Sequence, residues 1–376
     1  MTLGRPAPPP LGKPLSGPAA GRRGPTVAAY GATSADSGLV PLEIGRREPG
    51  PHDVQISIVY CGLCHSDVHS TRGEWRPQRY PLVPGHEIVG RVTAIGTDVT
   101  LFGPGDLVGV GCMVDSCRSC ASCEEGLEQY CEEGSVGTYG AADRRHAGET
   151  TQGGYATSIV VDENFCLRMP ANLDPAGAAP LLCAGITTYS PMRYFGVQPG
   201  DRVGVVGLGG LGHMAVKLAK AMGAGVTVFT TSPEKTEAAM LLGADAVVAS
   251  GDAAAMAEAA ESVDLVIDTV AASHDLVPYL RTLRRDGALI QLGVPGEDMP
   301  PIPVGVLMRR RIAYASSLIG GISETQELLD FCAEHDITAD VELVTAPQLN
   351  QAFDRMVAGD VKYRFVLDIA SLKENA

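Results

Sequence analysis

Four cysteines, Cys117, Cys120, Cys123 and Cys131, stand in the run CRSCASCEEGLEQYC with the spacing C-x2-C-x2-C-x7-C. So short a loop can wrap one tetrahedral ion, and zinc takes four thiolates at about 2.3 Å in a closed, structural shell. Two disulfides are the competing chemistry, suited to an exported chain; thiols three residues apart in a chain of this type fit a metal better. A second group of metal-type ligands is dispersed: Cys64 in CGLCHSDVH, His86 with Glu87 in PGHEIVG, and Cys183 in LLCAGITTY. Singly, each has an ordinary explanation, because a cysteine among apolar residues packs as a small hydrophobe and a histidine hydrogen-bonds. Together they form a Cys2His set that leaves zinc's fourth position open, as a catalytic site requires. Spacing alone does not join them.

A third chemical feature is Gly207-Leu208-Gly209-Gly210-Leu211-Gly212, between the apolar run Val203–Val206 and a helical stretch, His213 to Met222. In that setting G-x-G-x-x-G predicts a pyrophosphate on the helix N-terminus. Gly207 serves the tight turn, Gly209 the close phosphate approach and Gly212 the packing of helix on strand. The next strand ends in Thr230-Thr231-Ser232-Pro233-Glu234-Lys235, without the terminal carboxylate that selects the 2′-hydroxyl of NAD. Hydroxyls with a lysine suit a 2′-phosphate, so NADP(H) is the expected dinucleotide, with Glu234 the one residue that argues otherwise.

These groups need two kinds of scaffold. Short alternating runs such as Val54–Val59, Ile88–Ile95 and Tyr155–Val161, divided by Gly, Pro and Asp, predict a β-rich first domain. From about Leu181 the texture changes: β runs at 203–206, 226–229, 246–248, 265–267, 288–291 and 312–315 alternate with helical stretches. Six such strands predict a doubly wound parallel sheet. A helix with apolar Leu328, Leu329 and Phe331 follows, and strand-like Tyr363–Ile369 suggests a return to the first domain. The Pro- and Gly-rich residues 1–25 read as a disordered leader; Arg22-Arg23 is not followed by the compact apolar segment an export signal needs.

A chain of 376 residues favours two domains. A net charge of −15 argues against nucleic-acid or anionic-membrane surfaces, and no apolar stretch is long enough to span a bilayer.

The segments CGLCHSDVH, YPLVPGHEIVG, GVGCMVDSC with its four-cysteine lobe, LLCAGITTY, GLGGLGHMAVKLAKAMGA and IGGISETQELLDFCAEH resemble the zinc-dependent medium-chain alcohol dehydrogenases, within them the cinnamyl-alcohol-dehydrogenase-like branch. The likeness runs from about Val27 to the C-terminus. It implies an α/β architecture: a GroES-like β-rich catalytic domain over 26–183 and 322–376, and a Rossmann domain over 184–321. It implies two zinc ions per chain, NADP(H), and a homodimer. By the resemblance, Cys64, His86 and Cys183 are the catalytic zinc ligands, and Glu87 approaches the metal when substrate is absent. Asp67 orients the ligand histidine, and Ser66 and His69 relay a proton by way of the cofactor ribose. His65 lies near the cofactor phosphates, and the glycine loop from Gly207 through Gly209, Gly210, Leu211 and Gly212 holds them. Thr231, Ser232 and Lys235 meet the 2′-phosphate, and Trp75, Val136, Leu318 and Ile319 occupy pocket positions. The implied reaction interconverts primary alcohols and aldehydes by hydride transfer.

Two other function classes share this scaffold: a reductase of an iminium or activated alkene, signalled by a broken relay or zinc set, and a binding-only relative, signalled by a lost ligand. The chain has lost none of these residues. Trp75, the single tryptophan, serves equally as pocket wall or loop packing. Cys61, Cys112, Cys166 and Cys332 read as buried small apolar residues, free thiols that fit a reducing cytoplasm. The pairs Glu124-Glu125 and Glu132-Glu133 read as a solvated face.

Overall fold

The computed structural model describes residues 23–144 and 148–375. The chain divides into two compact units: one runs up to Cys183 and resumes at Gly320, and the other is Ala184–Ile319. Met1–Arg22, most of the expected leader, lie outside the described residues. The leader's last three positions do not, because the first strand, β1, spans Arg23–Gly31 and pairs antiparallel with β2, Val40–Arg47.

The larger unit is built on a seven-stranded sheet. Its centre is β3 (Asp53–Gly62), flanked by β4 (Ile88–Ile95), and beyond that lies β5 (Leu107–Val110). A small hairpin of β6 (Met113–Asp115) and β7 (Val136–Gly137) brackets the four-cysteine lobe. Next come β8 (Ser158–Asp162), which pairs with β3, and β9 (Leu167–Arg168) at the edge. The expected strand at Tyr155 therefore starts three residues later, and Tyr155 is left free to turn its hydroxyl inward. Alternation along β3 and β4 buries Ile56, Ile88 and Val92, and Leu167, Leu182 and Phe365 are buried in the same unit.

The smaller unit holds six parallel strands: β10 (Arg202–Val206), β11 (Gly225–Thr230), β12 (Ala246–Ala249), β13 (Val263–Asp268), β14 (Leu283–Gln291) and β15 (Ala313–Ser316). Their spatial order, β12-β11-β10-β13-β14-β15, reverses direction between β10 and β13. That is the doubly wound topology, with its ligand crevice outside the carboxyl ends of the two strands at the reversal. The central strands are buried runs because helices cover both faces; Val206, Phe229, Val266, Leu280 and Leu289 form one core cluster.

The return at Gly320 comes two residues before the boundary expected at 322. The helix Ile322–Glu334 buries Leu328, Leu329 and Cys332, while Phe331 is only half-buried and stacks against His335. Strands β16 (Val341–Val344) and β17 (Arg364–Asp368) complete the large sheet, with β17 antiparallel to β3. At the entrance of helix 322–334, the buried Glu128 of the cysteine lobe accepts a hydrogen bond from the Ile322 N–H at 3.0 Å. An acidic oxygen there satisfies a helix donor that would otherwise stay orphaned. Glu128→Ala should therefore cost about 1–3 kcal/mol, read as a lower thermal midpoint with both metal sites still loaded; an unchanged midpoint would remove the cap.

Candidate metal centres and dinucleotide loop

The dispersed ligands meet. Cys64, His86, Glu87 and Cys183 bring one ligand atom each to within 4.8 Å of one another. Cys64 ends β3's loop as the N-cap of helix His65–Thr71, His86 and Glu87 lead into β4, and Cys183 closes a short 3-10 turn, Ala179–Leu182. Gly85 makes the turn to His86 at φ +102°, where a side chain would strike the Tyr155 ring and the Cys61 thiol. Gly62 is required for another reason, since a Cβ there would run into Glu87 Oε2.

Asp67 organises the cluster. Its fully buried carboxylate accepts from Cys64 N–H at 2.9 Å, Gly85 N–H at 3.1 Å, Tyr155 O–H at 3.1 Å and His86 Nδ1 at 3.1 Å. Because a carboxylate only accepts, Nδ1 carries the proton of the neutral His86 ring, which leaves Nε2, 3.3 Å from Cys183 Sγ, as the nitrogen a metal would take, displacing any second proton there. Burial pulls the His86 pKa down, but the adjacent Asp67 charge more than offsets it and holds it well above the ordinary value. The hydrogen bond with Cys183 holds the Cys64 thiol well below its ordinary range. A thiolate donor, a tautomer-fixed imidazole and a second cysteine fit a divalent ion of zinc's type with one position left for another ligand.

Glu87 is fully buried and paired with Arg364 of β17. Burial pushes its carboxyl up to about 7 despite that counter-charge. Its Oε2 has no hydrogen-bond partner, which suits a carboxylate able to reach a metal.

Cys117, Cys120, Cys123 and Cys131 form the second group within 4.8 Å. All ten cysteines are free thiols, so neither group is a disulfide. Arg118 takes φ +63° to turn the first knuckle, and main-chain N–H groups point at sulfur: Cys120 N to Cys117 Sγ at 3.3 Å, Cys117 N to Cys131 Sγ at 3.4 Å, and Glu132 N to Cys120 Sγ at 3.4 Å. Such donors stabilise thiolates; at Cys117 burial raises the pKa, but the N–H groups of Ser119 and Cys120 outweigh it and bring the thiol down to about 6. Glu124, Glu125, Glu132 and Glu133 are exposed around this lobe.

Helix His65–Thr71 carries an exposed His65, a half-buried Ser66 with Oγ 3.6 Å from Cys64 Sγ, and His69. His69 Nδ1 is bound by Glu74, and its ring stacks on Trp75 with centroids 4.9 Å apart. Val136 is buried and borders a cavity of about 440 Å³ whose lining includes Arg46, Arg79 and Gln152 but none of the metal-type ligands. Leu318 and Ile319, the latter at φ +35°, belong to the smaller unit, where Leu318 is exposed. Cys61, Cys166 and Cys332 are buried, as expected. Cys112 is not: it is half-buried, its thiol is 3.7 Å from the Leu182 carbonyl, and the nearby Cys183 thiol draws its pKa below the ordinary value, so it borders the metal cluster.

In the smaller unit, Gly207 turns at φ +84° and a Cβ on Gly212 would run into the Gly207 carbonyl, whereas a Cβ on Gly209 would meet no protein atom within 4 Å. The protein itself thus gives no reason for glycine at 209; a ligand backed against the loop, with Gly210 and Leu211 leading into helix Gly212–Ala221, does. Lys235 Nζ donates to the Leu208 carbonyl at 3.3 Å, which brings the lysine to the glycine loop. Ser232 is half-buried beside it, donating its N–H to Thr230 Oγ1, and Thr231 and Glu234 are exposed. These residues fit a dinucleotide with an extra phosphate.

Residues 50–171 match the alcohol dehydrogenase GroES-like domain family and 210–334 the zinc-binding dehydrogenase family. The chain is 54% identical over 93% of its length to NADP-dependent alcohol dehydrogenase C 1 of Mycolicibacterium smegmatis, covering 99% of that protein. It is likewise 54% identical, with 93% and 99% covered, to aldehyde reductase YahK of Escherichia coli. Among solved structures it is similar to a cinnamyl alcohol dehydrogenase of Sorghum bicolor, with a TM-score of 0.89 and 46% identity over 92% of this chain and 98% of that one. The chain belongs to the zinc-dependent alcohol dehydrogenases of the medium-chain type, in the cinnamyl-alcohol-dehydrogenase-like branch.

Tyr155, Arg364 and Glu74 were not singled out from the sequence, and Cys112 was expected only as a buried core thiol. An arginine inside the apolar run YRFVLDI was the one visible signal, since a strand buries such a charge only against a partner. Metal analysis should return two zinc ions per chain, with Cys64→Ser losing one and Cys120→Ser the other, the second with lost stability. Asp67→Asn should weaken only the first site, by about 10–100-fold in affinity; equal loss from both sites would deny Asp67 its role at His86.

Proposed function

We propose that the chain is an NADP(H)-dependent aldehyde reductase and alcohol dehydrogenase acting on primary alcohol and aldehyde pairs, aromatic or cinnamyl ones among them. The observation that carries this reading is the Cys64, His86 and Cys183 cluster, with its histidine lone pair held in place by Asp67. Those three residues would hold the metal; a bound zinc supplies a Lewis acid for a carbonyl oxygen and NADP(H) supplies or takes the hydride. Cys64 and Cys183 contribute sulfur donors, and the buried walls around them exclude water from the developing charge.

Ser66 and His69, three residues apart on one helix, lie on one face and form the proton path. Glu74 takes the Nδ1 hydrogen of His69 and thereby frees Nε2 to exchange a proton, while Trp75 holds the ring plane. Trp75 then serves both as packing for the relay and as a pocket residue. Glu74→Gln should lower kcat about tenfold and leave the KM for NADPH unchanged, because a positioned acid–base group contributes ~10²–10⁴-fold and Glu74 supplies only its orientation.

Ser232 and Lys235 would bind the 2′-phosphate. Ser232→Ala with Lys235→Ala should raise the KM for NADPH far more than that for NADH; equal effects would remove both residues from that role. We read the protein as a cytoplasmic homodimer. Ten free thiols suit a reducing compartment, and β15 is a sheet edge with Tyr314 and, just beyond it, Leu318 exposed. Among the described residues no helix is long and apolar enough to cross a membrane.

The deciding assay follows NADPH absorbance with a panel of aromatic and aliphatic aldehydes before and after chelation of the metal. Turnover that vanishes with zinc is the expected result. No turnover with any aldehyde, at full zinc content and with tight NADPH binding, would move the assignment to another acceptor or to a binding role.

A further inference from the structure

The crevice at the strand-order reversal contains an ion pair that the reaction above does not use. Asp268 is the last residue of β13, in register with Val206 at the end of β10 and with Gln291 at the end of β14. It is fully buried. Its Oδ1 accepts the Val270 N–H at 3.0 Å, and its Oδ2 lies 3.0 Å from Nε2 of His274, close enough for an ion pair but outside hydrogen-bond alignment, so that neither atom has a hydrogen-bond partner. The other ring nitrogen, Nδ1, is 2.8 Å from the Ala272 carbonyl oxygen. A carbonyl only accepts, so Nδ1 carries a proton; a neutral ring would then leave the buried Oδ2 with no counter-charge beside it. Only as the imidazolium does the ring bring a positive charge against that carboxylate, by proximity rather than by an aligned hydrogen bond.

This pair underlies the glycine loop. The Thr269 N–H and Oγ1 both donate to the Val206 carbonyl, at 3.0 and 2.8 Å, and Thr269 and Val270 fill the space behind Gly207. Gln291 Nε2 donates to the carbonyls of Val270 and Gly293, while its Oε1, on a residue more than nine-tenths buried, has no partner. A buried, uncompensated carboxylate at this point would repel the phosphates of a dinucleotide and would have no counter-ion of its own.

We propose that His274 is a positioning residue for NADP(H): as the imidazolium it neutralises Asp268 beneath the phosphate loop and fixes the segment Thr269–Ser273, so that cofactor affinity is coupled to its protonation. The proposal rests on the reading of this unit as the NADP(H)-binding one. The other titratable groups around the pair are Asp275 on the same turn, Tyr279 of helix Val277–Thr282, whose ring meets His274 edge-on at 5.8 Å, and Tyr314 of β15. The contact with Asp268, and secondarily the Ala272 carbonyl, raises the His274 pKa above its ordinary value. The sign follows: the pair is complete below the ordinary histidine pKa and is lost as pH rises through the raised one.

The test is NADPH binding to the zinc-loaded enzyme, followed by cofactor fluorescence from pH 7 to 9.5, with the His274 ring titrated by NMR in the presence and absence of NADPH. The dissociation constant should rise about tenfold through the His274 titration, and by linkage saturating NADPH should raise the His274 pKa by about one unit. His274→Gln should bind more weakly at pH 7 and lose that step; the wild-type profiles stand alone should the variant not fold. A flat wild-type profile, or a His274 titration that NADPH does not move, overturns the proposal while leaving the cofactor assignment intact. Absence of NADPH binding at every pH would overturn both.

Discussion

The carboxylate of Asp67 is the constraint on which the catalytic unit depends. It sits at no exposure, where an ionised group survives only if its lone pairs are met, and four donors from three separate stretches of chain meet them. One donor is the N–H that begins helix His65–Thr71, so the residue that orients His86 also starts the helix bearing Ser66 and His69. The proposed metal ligand and the proposed proton path are thereby set by one group. The arrangement also explains the local sequence: Gly85 must be glycine to let the turn pass Tyr155 and Cys61, and Tyr155 must leave β8 to bring its hydroxyl to the carboxylate.

The second buried charge follows a different logic. Glu87 lies beside the same cluster with Arg364 as counter-ion, yet one of its oxygens remains unpartnered. Desolvation of that carboxylate is costly, and the arginine offsets only part of the cost. A group held in such a state is available to a metal in a way that the saturated Asp67 is not. Arg364 comes from β17, on the far side of the smaller unit in sequence, so the chain must return before the centre is complete. The cysteine lobe has a related part in this return, since Glu128 receives the first turn of helix Ile322–Glu334.

Much of this was legible in the sequence wherever a feature depended on local spacing. The four-cysteine lobe, the glycine loop and five of the six parallel strands appear within a residue or two of where periodicity and turn residues put them; β14 starts five residues earlier than expected, at Leu283. The Cys64, His86 and Cys183 set was not legible from spacing, because 97 residues separate His86 from Cys183 and only tertiary folding joins them; family resemblance joined them instead. Tyr155 and Glu74 escaped notice for the same physical reason: a tyrosine at a strand start and a glutamate after a helix carry no periodic signal until their partners are known. Cys112 looked like any small core residue, and its place beside Cys183 follows from the packing of β5's end against the turn that precedes Cys183. Three residues of the expected leader belong to β1, whose pairing with β2 overrides the Gly-Pro composition at its start.

In the proposed reaction a metal held by Cys64, His86 and Cys183 polarises a carbonyl oxygen while NADPH delivers hydride to its carbon. Deuterium transfer from NADPH labelled at C4 of the nicotinamide, followed by mass spectrometry of the alcohol formed, tests it most directly. Deuterium is expected on the carbinol carbon with the zinc-loaded enzyme and not with enzyme stripped of zinc from that cluster, although the stripped enzyme still binds NADPH. Transfer that continues undiminished after the metal is gone, or an alcohol whose new hydrogen comes from solvent, would contradict it.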